Sequence, residues 1–318
     1  MESIDKVIAG AQSIAITGHV RPDGDCAGST LGLYNYIVSN YQDIRTDIYL
    51  EPIEDCMGFL KNSDKIKNDA PDKTAKYDIF FILDCSDMGR IADFCHDMIK
   101  NASKTVCIDH HMTAGDFATV NHILPQISSA SEVLYELLSP DKIDRAAAEC
   151  LYVGIVHDTG VFKYQSTTCR TMEIAGSLME KGIDFTSIID DTFFRKSYVQ
   201  NLAMGRALCD STLLLDGKLI YSQLDAKTLR EIGLLGRETA GIIDQLRFTS
   251  GVEVALFMYE LNDGRVKVSM RSVSYVDVNA VANEFGGGGH RRAAGFTTDM
   301  KFDEIVTKVA EKVSEQLR

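Results

Sequence analysis

The sequence predicts an α/β protein: an N-terminal, mostly parallel sheet with helices on both faces, then a linker helix and a smaller C-terminal α+β domain. Short β-prone apolar runs alternate with helically spaced segments from Ser13 to about Asp158, the signature of a doubly covered parallel sheet. Past about residue 209 the pattern changes to hairpins built on Asp-Gly. A length of 318 residues is too long for one comfortable core and short for three, so two domains are expected.

The elements follow in order. Ile14-Ala15-Ile16-Thr17 is a β-prone run that empties into His19-Val20-Arg21-Pro22-Asp23-Gly24-Asp25, and residues 28–38 then take helical apolar spacing. Residues 77–83 are apolar at nearly every position, as in a strand buried on both faces, and end at Asp84. Thr105-Val106-Cys107-Ile108 is a further run, ending at Asp109-His110-His111, and residues 131–138 are again helical in spacing. The apolar run 151–156 leads into His157-Asp158-Thr159-Gly160, and residues 185–208 read as a polar helix. Hairpins are expected around Asp216-Gly217 and around Asn262-Asp263-Gly264. The expected boundaries are therefore a first domain at 1–185, a helical linker at 186–208 and a second domain at 209–318.

Hydrophobic residues make up 45% of the chain, enough for full cores, yet no run of about 18 apolar residues and no basic-then-apolar leader is present. Neither a membrane span nor a secretory signal is indicated, and a cytoplasmic location is expected. The eight cysteines are scattered without a Cys-x-x-Cys pair, which fits reduced, buried thiols better than disulfides or a zinc ribbon. A net charge of −13 argues against long duplex nucleic acid as the main partner, because grooves that track phosphates are strongly basic. Small anionic substrates remain, since bound cations reverse the local sign.

Parallel sheets gather ligands at the carboxyl ends of their strands, so four acidic or imidazole clusters placed after apolar runs can converge on one crevice. Their side chains suit manganese or a comparable hard divalent ion. Each cluster has a plainer reading. Asp25 or Ser29 could simply cap a helix, Asp87 could cap the segment after it, the His pair could be a solvated turn, and Gly160 could close a helix after Asp158. An EF-hand beginning at Asp23 fails, because its fifth and twelfth positions are Ala27 and Tyr34. An aspartyl-phosphate enzyme could use Asp23 and Asp25 but has no evident need of His19 or the His pair. Asp84, at the end of a doubly buried strand, favours coordination, since an unpaired carboxylate there is costly. His110 and His111 should face opposite sides if extended, one as ligand and one towards substrate, with Asp109 fixing a tautomer. In the second domain, residues 286–289 are all glycine and precede His290, Arg291 and Arg292, offering open backbone amides to a phosphate, with Arg271 a second candidate.

Taken together, Asp109-His110-His111, His19-x-x-x-Asp23-x-Asp25 with Gly28-Ser29, Asp84, His157-Asp158-Thr159-Gly160 and Gly287-Gly288-Gly289-His290 resemble the DHH phosphoesterases with their associated DHHA1 domain. The two-domain length resembles the stand-alone oligoribonuclease and 3′,5′-bisphosphate nucleotidase branch, without the membrane and sensory material that precedes the motifs in cyclic-di-AMP phosphodiesterases. The resemblance implies two divalent ions, Mn²⁺ with Mg²⁺ or Co²⁺ as alternatives, and a site in the interdomain cleft. Its ligands would be His19, Asp23 and Asp84 on one ion and Asp25, Asp84, His110 and Asp158 on the other. His111 would contact the scissile phosphate, while Gly288, Gly289, His290, Arg271 and one of Arg291 and Arg292 would hold substrate.

The expected activity is hydrolysis of oligonucleotides of about two to five units, removal of the 3′-phosphate of 3′-phosphoadenosine 5′-phosphate, or both, by water activated between two metals. The alternatives are cyclic-di-AMP or linear pApA hydrolysis and, from another class, a nucleotide sensor without catalysis. Homo-oligomerisation is left open.

Overall fold

Apolar side chains on both faces of the central strands oblige the first part of the chain to form a sheet covered on both sides. In a computed structural model, which describes residues 2–317 apart from 71, 73, 113, 114, 235–238 and 240, the chain divides into two units, Met1–Arg195 and Lys196–Arg318. The first holds strands β1 (Ser13–Thr17), β2 (Arg45–Tyr49), β3 (Ile66–Lys67), β4 (Ile79–Leu83), β5 (Lys104–Asp109) and β6 (Val120–Ile123). Its helices are α1 (Ile4–Val7), α2 (Gly24–Asn40), α3 (His96–Asn101), α4 (Ala130–Leu137), α5 (Arg145–Asp158), α6 (Cys169–Met179) and α7 (Phe185–Ile189), the last continued by a π-helical turn, Asp190–Phe194.

All pairings in this sheet are parallel, and the strand order is β3-β2-β1-β4-β5-β6. Successive strands build outward from β1 in one direction and from β4 in the other, so the switch point lies between β1 and β4. That is where open α/β sheets bind ligands. Alternate residues of β4 serve opposite cores: Ile79, Phe81 and Leu83 join the α2, α4 and α5 side, whereas Phe80 and Ile82 join Tyr77, Met98 and Ile99 on the other. The run of apolar residues 79–83 is thus buried at every position.

Two helices lie closer than ordinary side chains permit. Gly24, Gly28 and Gly32 recur every fourth residue on one face of α2, and that face packs on α5. A Cβ on Gly28 would stand 2.5 Å from the Cys150 carbonyl oxygen and 2.8 Å from the Gly154 nitrogen, both backbone. A Cβ on Gly24 would enter the His157 ring. The close approach brings the C-terminal end of α5 to the start of α2.

The second unit contains α8 (Tyr198–Cys209), α9 (Ala226–Ile232), α10 (Ile242–Arg247), α11 (Val278–Glu284) and α12 (Phe302–Ser314) around a sheet of β7 (Thr212–Leu214), β8 (Leu219–Leu224), β9 (Val254–Glu260), β10 (Val266–Ser272), β11 (Gly288–His290) and β12 (Ala293–Thr298). The order is β11-β12-β10-β9-β8-β7, antiparallel except for β8 with β9. Both expected hairpins form, β7–β8 and β9–β10.

Two local expectations change. Residues 151–156 belong to helix α5 and not to a strand, because a continuous apolar run does not distinguish a buried strand from a buried helix. The stretch 185–208 is not one helix: α7 and the π-turn end before Arg195, and Ser197 starts α8 with a capping box to Gln200. Of the glycine run, Gly288 and Gly289 belong to strand β11, paired with β12.

Gly28→Ala should therefore lose stability, by about 1–3 kcal/mol as expected for overpacking, in a denaturant titration. Gly176→Ala, inside α6 with open space at its Cβ position, should instead gain about 0.5–1 kcal/mol.

Candidate metal centre

The site is assembled from strand ends on both sides of the switch point. β1 leads into His19, whose Nδ1 lies 2.9 Å from the Val20 carbonyl oxygen, leaving Nε2 turned inward. That nitrogen is 3.6 Å from Asp23 Oδ1 and 3.4 Å from Asp84 Oδ2. Asp23 is also the N-cap of α2, accepting from the backbone of Asp25 and Cys26 at 3.1 Å each. The cap is therefore Asp23, where the plainer sequence reading had offered Asp25 or Ser29.

Asp25 has no exposed surface, and its carboxylate accepts the N–H of Ala130 at 2.6 Å and of Ser131 at 3.0 Å, the first two helical residues of α4. Amides at a helix start are natural partners for an anion. The donors are themselves held: Glu132, buried, binds the Ser128 hydroxyl and accepts from Thr171 Oγ1 of α6 at 3.0 Å, while Ser129 caps the Glu132 amide at 3.0 Å. Sequence reasoning treated this segment only as helix; the Ser-Ser-Ala-Ser-Glu run of residues 128–132 was the available signal for a cap that does double service.

β4 ends at Asp84, whose φ of +51° is in the left-handed region that only short polar residues and glycine enter readily. Its Oδ1 is buried and has no hydrogen-bond partner. An orphaned buried carboxylate oxygen is costly, and a bound cation relieves that cost. Around it stand His110 Nε2 at 3.7 Å and His111 Nδ1 at 3.6 Å. His110 Nε2 further lies 3.0 Å from Asp158 Oδ2 and 3.9 Å from Asp25 Oδ2. The two imidazoles thus do not face opposite sides as expected, because β5 ends at Asp109 and both residues lie beyond its pleat, with ring centroids 4.8 Å apart. Asp158 enters from the last turn of α5, so the helical reading of this segment holds, and the helix end sets its carboxylate beside His110.

The ligand atoms of Asp84, His110 and His111, and those of Asp25, His110 and Asp158, fall within 4.8 Å of one another, as do those of His19, Cys26 and Asp84. Asp84 and His110 are each shared between groups, which is how two neighbouring ions would be held. Hard carboxylates with imidazole are a donor set for Mn²⁺ or a similar ion. Cys26 was passed over as a site residue. Its thiol contacts the His19 carbonyl oxygen at 3.8 Å, and burial pushes its pKa up, so it is a neutral packing group that also fills the space beside Gly18. Asp87 caps the turn Met88–Arg90.

Without cations the cluster holds protons. Burial pushes Asp25 well above the usual carboxylate range, reinforced by the charges of Asp84 and Asp158; Asp84 is raised by burial too. Burial opposes charge on His19 and His110, yet contacts with Asp23 and Asp84 in one case and Asp158 and Asp25 in the other push both up to about 10. His111 is raised chiefly by Asp109, which meets its Nδ1 at 2.8 Å.

The expected substrate-binding residues all lie in the second unit. Arg271 is on β10, with one guanidinium nitrogen donating to the Met270 carbonyl at 3.2 Å. Gly288, Gly289 and His290 form β11; Gly289 has φ +151°, and a Cβ there would stand 2.7 Å from the Ala294 Cα, so the strand lies closer to β12 than side chains allow. Arg291 and Arg292 are both exposed, and Arg291 donates to the Tyr275 carbonyl at 3.4 Å.

A parallel sheet with histidines and aspartates gathered at its switch point, followed by a mixed-sheet unit with a glycine strand, is the pattern of a two-domain hydrolase fold. Residues 13–155 match the model for the DHH family, N-terminal domain, and residues 216–315 the model for the DHHA1 domain. The chain belongs to the DHH family. A probable bifunctional oligoribonuclease and PAP phosphatase NrnA from Streptococcus mutans is 31% identical over 291 residues, covering 89% of this chain and 88% of that protein. The bifunctional oligoribonuclease and PAP phosphatase NrnA of Bacillus subtilis is 27% identical over 288 residues, at 89% and 88%. The crystal structure of an exopolyphosphatase-related protein from Bacteroides fragilis superposes with a TM-score of 0.86 at 26% identity, covering 98% of this chain and 94% of that one.

Ligation requires the imidazoles of His19 and His110 to be neutral, so Mn²⁺ binding should release protons into weakly buffered solution at neutral pH, with affinity rising as pH climbs towards about 10. Potentiometric titration of the metal-free protein checks this; affinity flat from pH 6 to 9 would contradict it. In the metal-free fold the same two groups contribute stability that is complete below an imidazole's ordinary pKa and lost as pH rises towards about 10. Asp84→Asn keeps a residue that tolerates positive φ and removes like-charge repulsion. Calorimetry should find metal-free Asp84→Asn at least as stable as the parent, with the thermal shift on adding Mn²⁺ abolished.

Proposed function

We propose that this chain is a metal-dependent phosphoric ester hydrolase that degrades short oligoribonucleotides to mononucleotides and dephosphorylates 3′-phosphoadenosine 5′-phosphate. The observation that carries the reading is the chain of close approaches that joins His19, Asp23, Asp25, Asp84, His110 and Asp158 in one cluster, with one buried Asp84 oxygen left unpartnered. The names of its relatives support the substrate class. The ions are proposed to be Mn²⁺, one with His19, Asp23 and Asp84 and the other with Asp25, Asp84, His110 and Asp158. When bound, such a pair activates water and neutralises charge on the phosphorus and leaving oxygens.

The chain's own groups then act as follows. The amides of Ala130 and Ser131 hold Asp25 so that it aims at the same point as Asp158. Asp109 takes the Nδ1 side of His111, which leaves Nε2 as the ring's outward atom. Contact with Asp109 raises the pKa of His111 and so favours its protonated form, which places it to donate from Nε2 towards a non-bridging phosphate oxygen or the leaving oxygen. Glu132 acts through the segment that orients Asp25 and is a positioning residue.

In the second unit Gly288, Gly289, His290 and Arg271, with Arg291, are proposed to hold a further phosphate. A second grip that takes a terminal phosphate favours short substrates over long strands, in keeping with the acidic chain. Among the described residues no helix is long and apolar enough to cross a membrane, and we place the protein in the cytoplasm.

The test is product analysis of linear di- to pentanucleotides, cyclic dinucleotides and 3′-phosphoadenosine 5′-phosphate, each with Mn²⁺ and with Mg²⁺. Mononucleotide release from the linear substrates, with activity down at least about a hundredfold in Asp84→Asn, is expected. Faster turnover of cyclic dinucleotides would shift the assignment to that substrate, and nucleotide binding without metal-dependent product would make the chain a sensor.

A further inference from the structure

A sulfur donor lies among the carboxylates and imidazoles of the metal centre. Cys26 sits in the first turn of α2, directly after Asp25, and its side chain has no exposed surface. Gly18, just past the end of β1, makes room for it: a Cβ there would stand 2.3 Å from Sγ. One ligand atom each of His19, Cys26 and Asp84 falls within 4.8 Å of the others, and all three residues are buried. Asp84 carries the unpartnered buried Oδ1, and its Oδ2 is 3.4 Å from His19 Nε2. Asp23 Oδ1 lies 3.6 Å from the same nitrogen and accepts the Cys26 backbone N–H at 3.1 Å.

Donor softness sorts divalent ions at such a place. Carboxylate and water suit Mn²⁺, whereas thiolate suits Zn²⁺ and the still softer Cd²⁺, and Mn²⁺ stands lowest among the first-row ions in affinity for any mixed nitrogen, oxygen and sulfur site. A hard ion leaves the thiol protonated and donating to the His19 carbonyl oxygen at 3.8 Å, the packing role described above. A thiophilic ion exchanges with that proton: a metal–sulfur bond forms and the proton leaves to buffer. His19, Cys26, Asp84 and Asp23 then supply four protein donors, the closed tetrahedral shell of a structural zinc site and not the open one of a catalytic site.

We propose that Cys26 makes the His19 side of the metal centre a trap for thiophilic divalent ions, Zn²⁺ or Cd²⁺ being held by His19, Cys26, Asp84 and Asp23 with no position left for water. The proposal rests on the metal-centre reading above and names the ions that silence it. Position 26 thereby sets metal selectivity without touching substrate.

Co²⁺ reports sulfur ligation through a thiolate-to-metal charge-transfer band in the near ultraviolet, a signal independent of turnover. Titrated into the metal-free full chain, Co²⁺ should raise that band in the parent and not in Cys26→Ser or Cys26→Ala; the other cysteines are common to all three proteins and cancel in the difference. In competition calorimetry both variants should lose at least about tenfold in Cd²⁺ affinity, the lower end of what removing a group that merely supports a ligand costs, while Mn²⁺ affinity holds. Cd²⁺ added to the manganese-loaded protein should inhibit hydrolysis in the parent at least about tenfold more strongly than in Cys26→Ser. Co²⁺ bound by the parent without the band, or Cd²⁺ affinity equal in the parent and both variants, would overturn the trap and leave the metal centre standing. Failure of the parent to bind either Mn²⁺ or Co²⁺ would sink the metal centre itself, and the trap with it.

Discussion

Carboxylates aimed at one buried point repel one another, and much of the first unit is built to hold them there. Asp23, Asp25, Asp84 and Asp158 are drawn together by separate devices, none of which depends on the others' charge. Asp23 caps α2, and Asp25 is gripped by the amides that open α4. Asp84 is set by an unusual backbone angle at the end of a strand buried on both faces, and Asp158 arrives on a helix that glycines allow unusually close. The scaffold thus supplies, through packing and backbone hydrogen bonds, the work that electrostatics alone would oppose in the absence of cations.

The same division explains what could be read from the chain. β1, β4 and β5 were legible because short runs such as 79–83 are rich in β-branched and aromatic residues and are closed on both sides by polar, turn-forming ones. The clustered histidines and aspartates were legible because hard donors followed those runs. Helix α5 was not, since 151–156 is uniformly apolar and carries no period that distinguishes helix from strand. The orientation of His110 and His111 was missed because alternation holds only inside a pleated strand, and β5 stops one residue earlier. The cradle of residues 128–132 and the role of Cys26 depend on contacts with segments more than a hundred residues distant or on the filling of a small void, and such information is absent from any local window.

The glycines show how one residue type answers two demands. In α2 they recur every fourth position and let a second helix approach. In β11 they let an edge strand lie against β12 while keeping its amides unobstructed, so that the segment is ordered yet bare. A run of four glycines suggests slackness when seen as text; its last two, paired with β12, form a side-chain-free edge beside His290, with Arg271 two strands away on the same face.

The positive φ at Asp84 restricts the evolutionary exits from catalysis. Most replacements there strain the end of the central strand and endanger folding, whereas asparagine and glycine fit the backbone without the charge. A descendant that abandons chemistry but keeps its shape would therefore pass through one of those two residues. An inert paralogue of this scaffold, retained for binding alone, would be recognisable by that single letter.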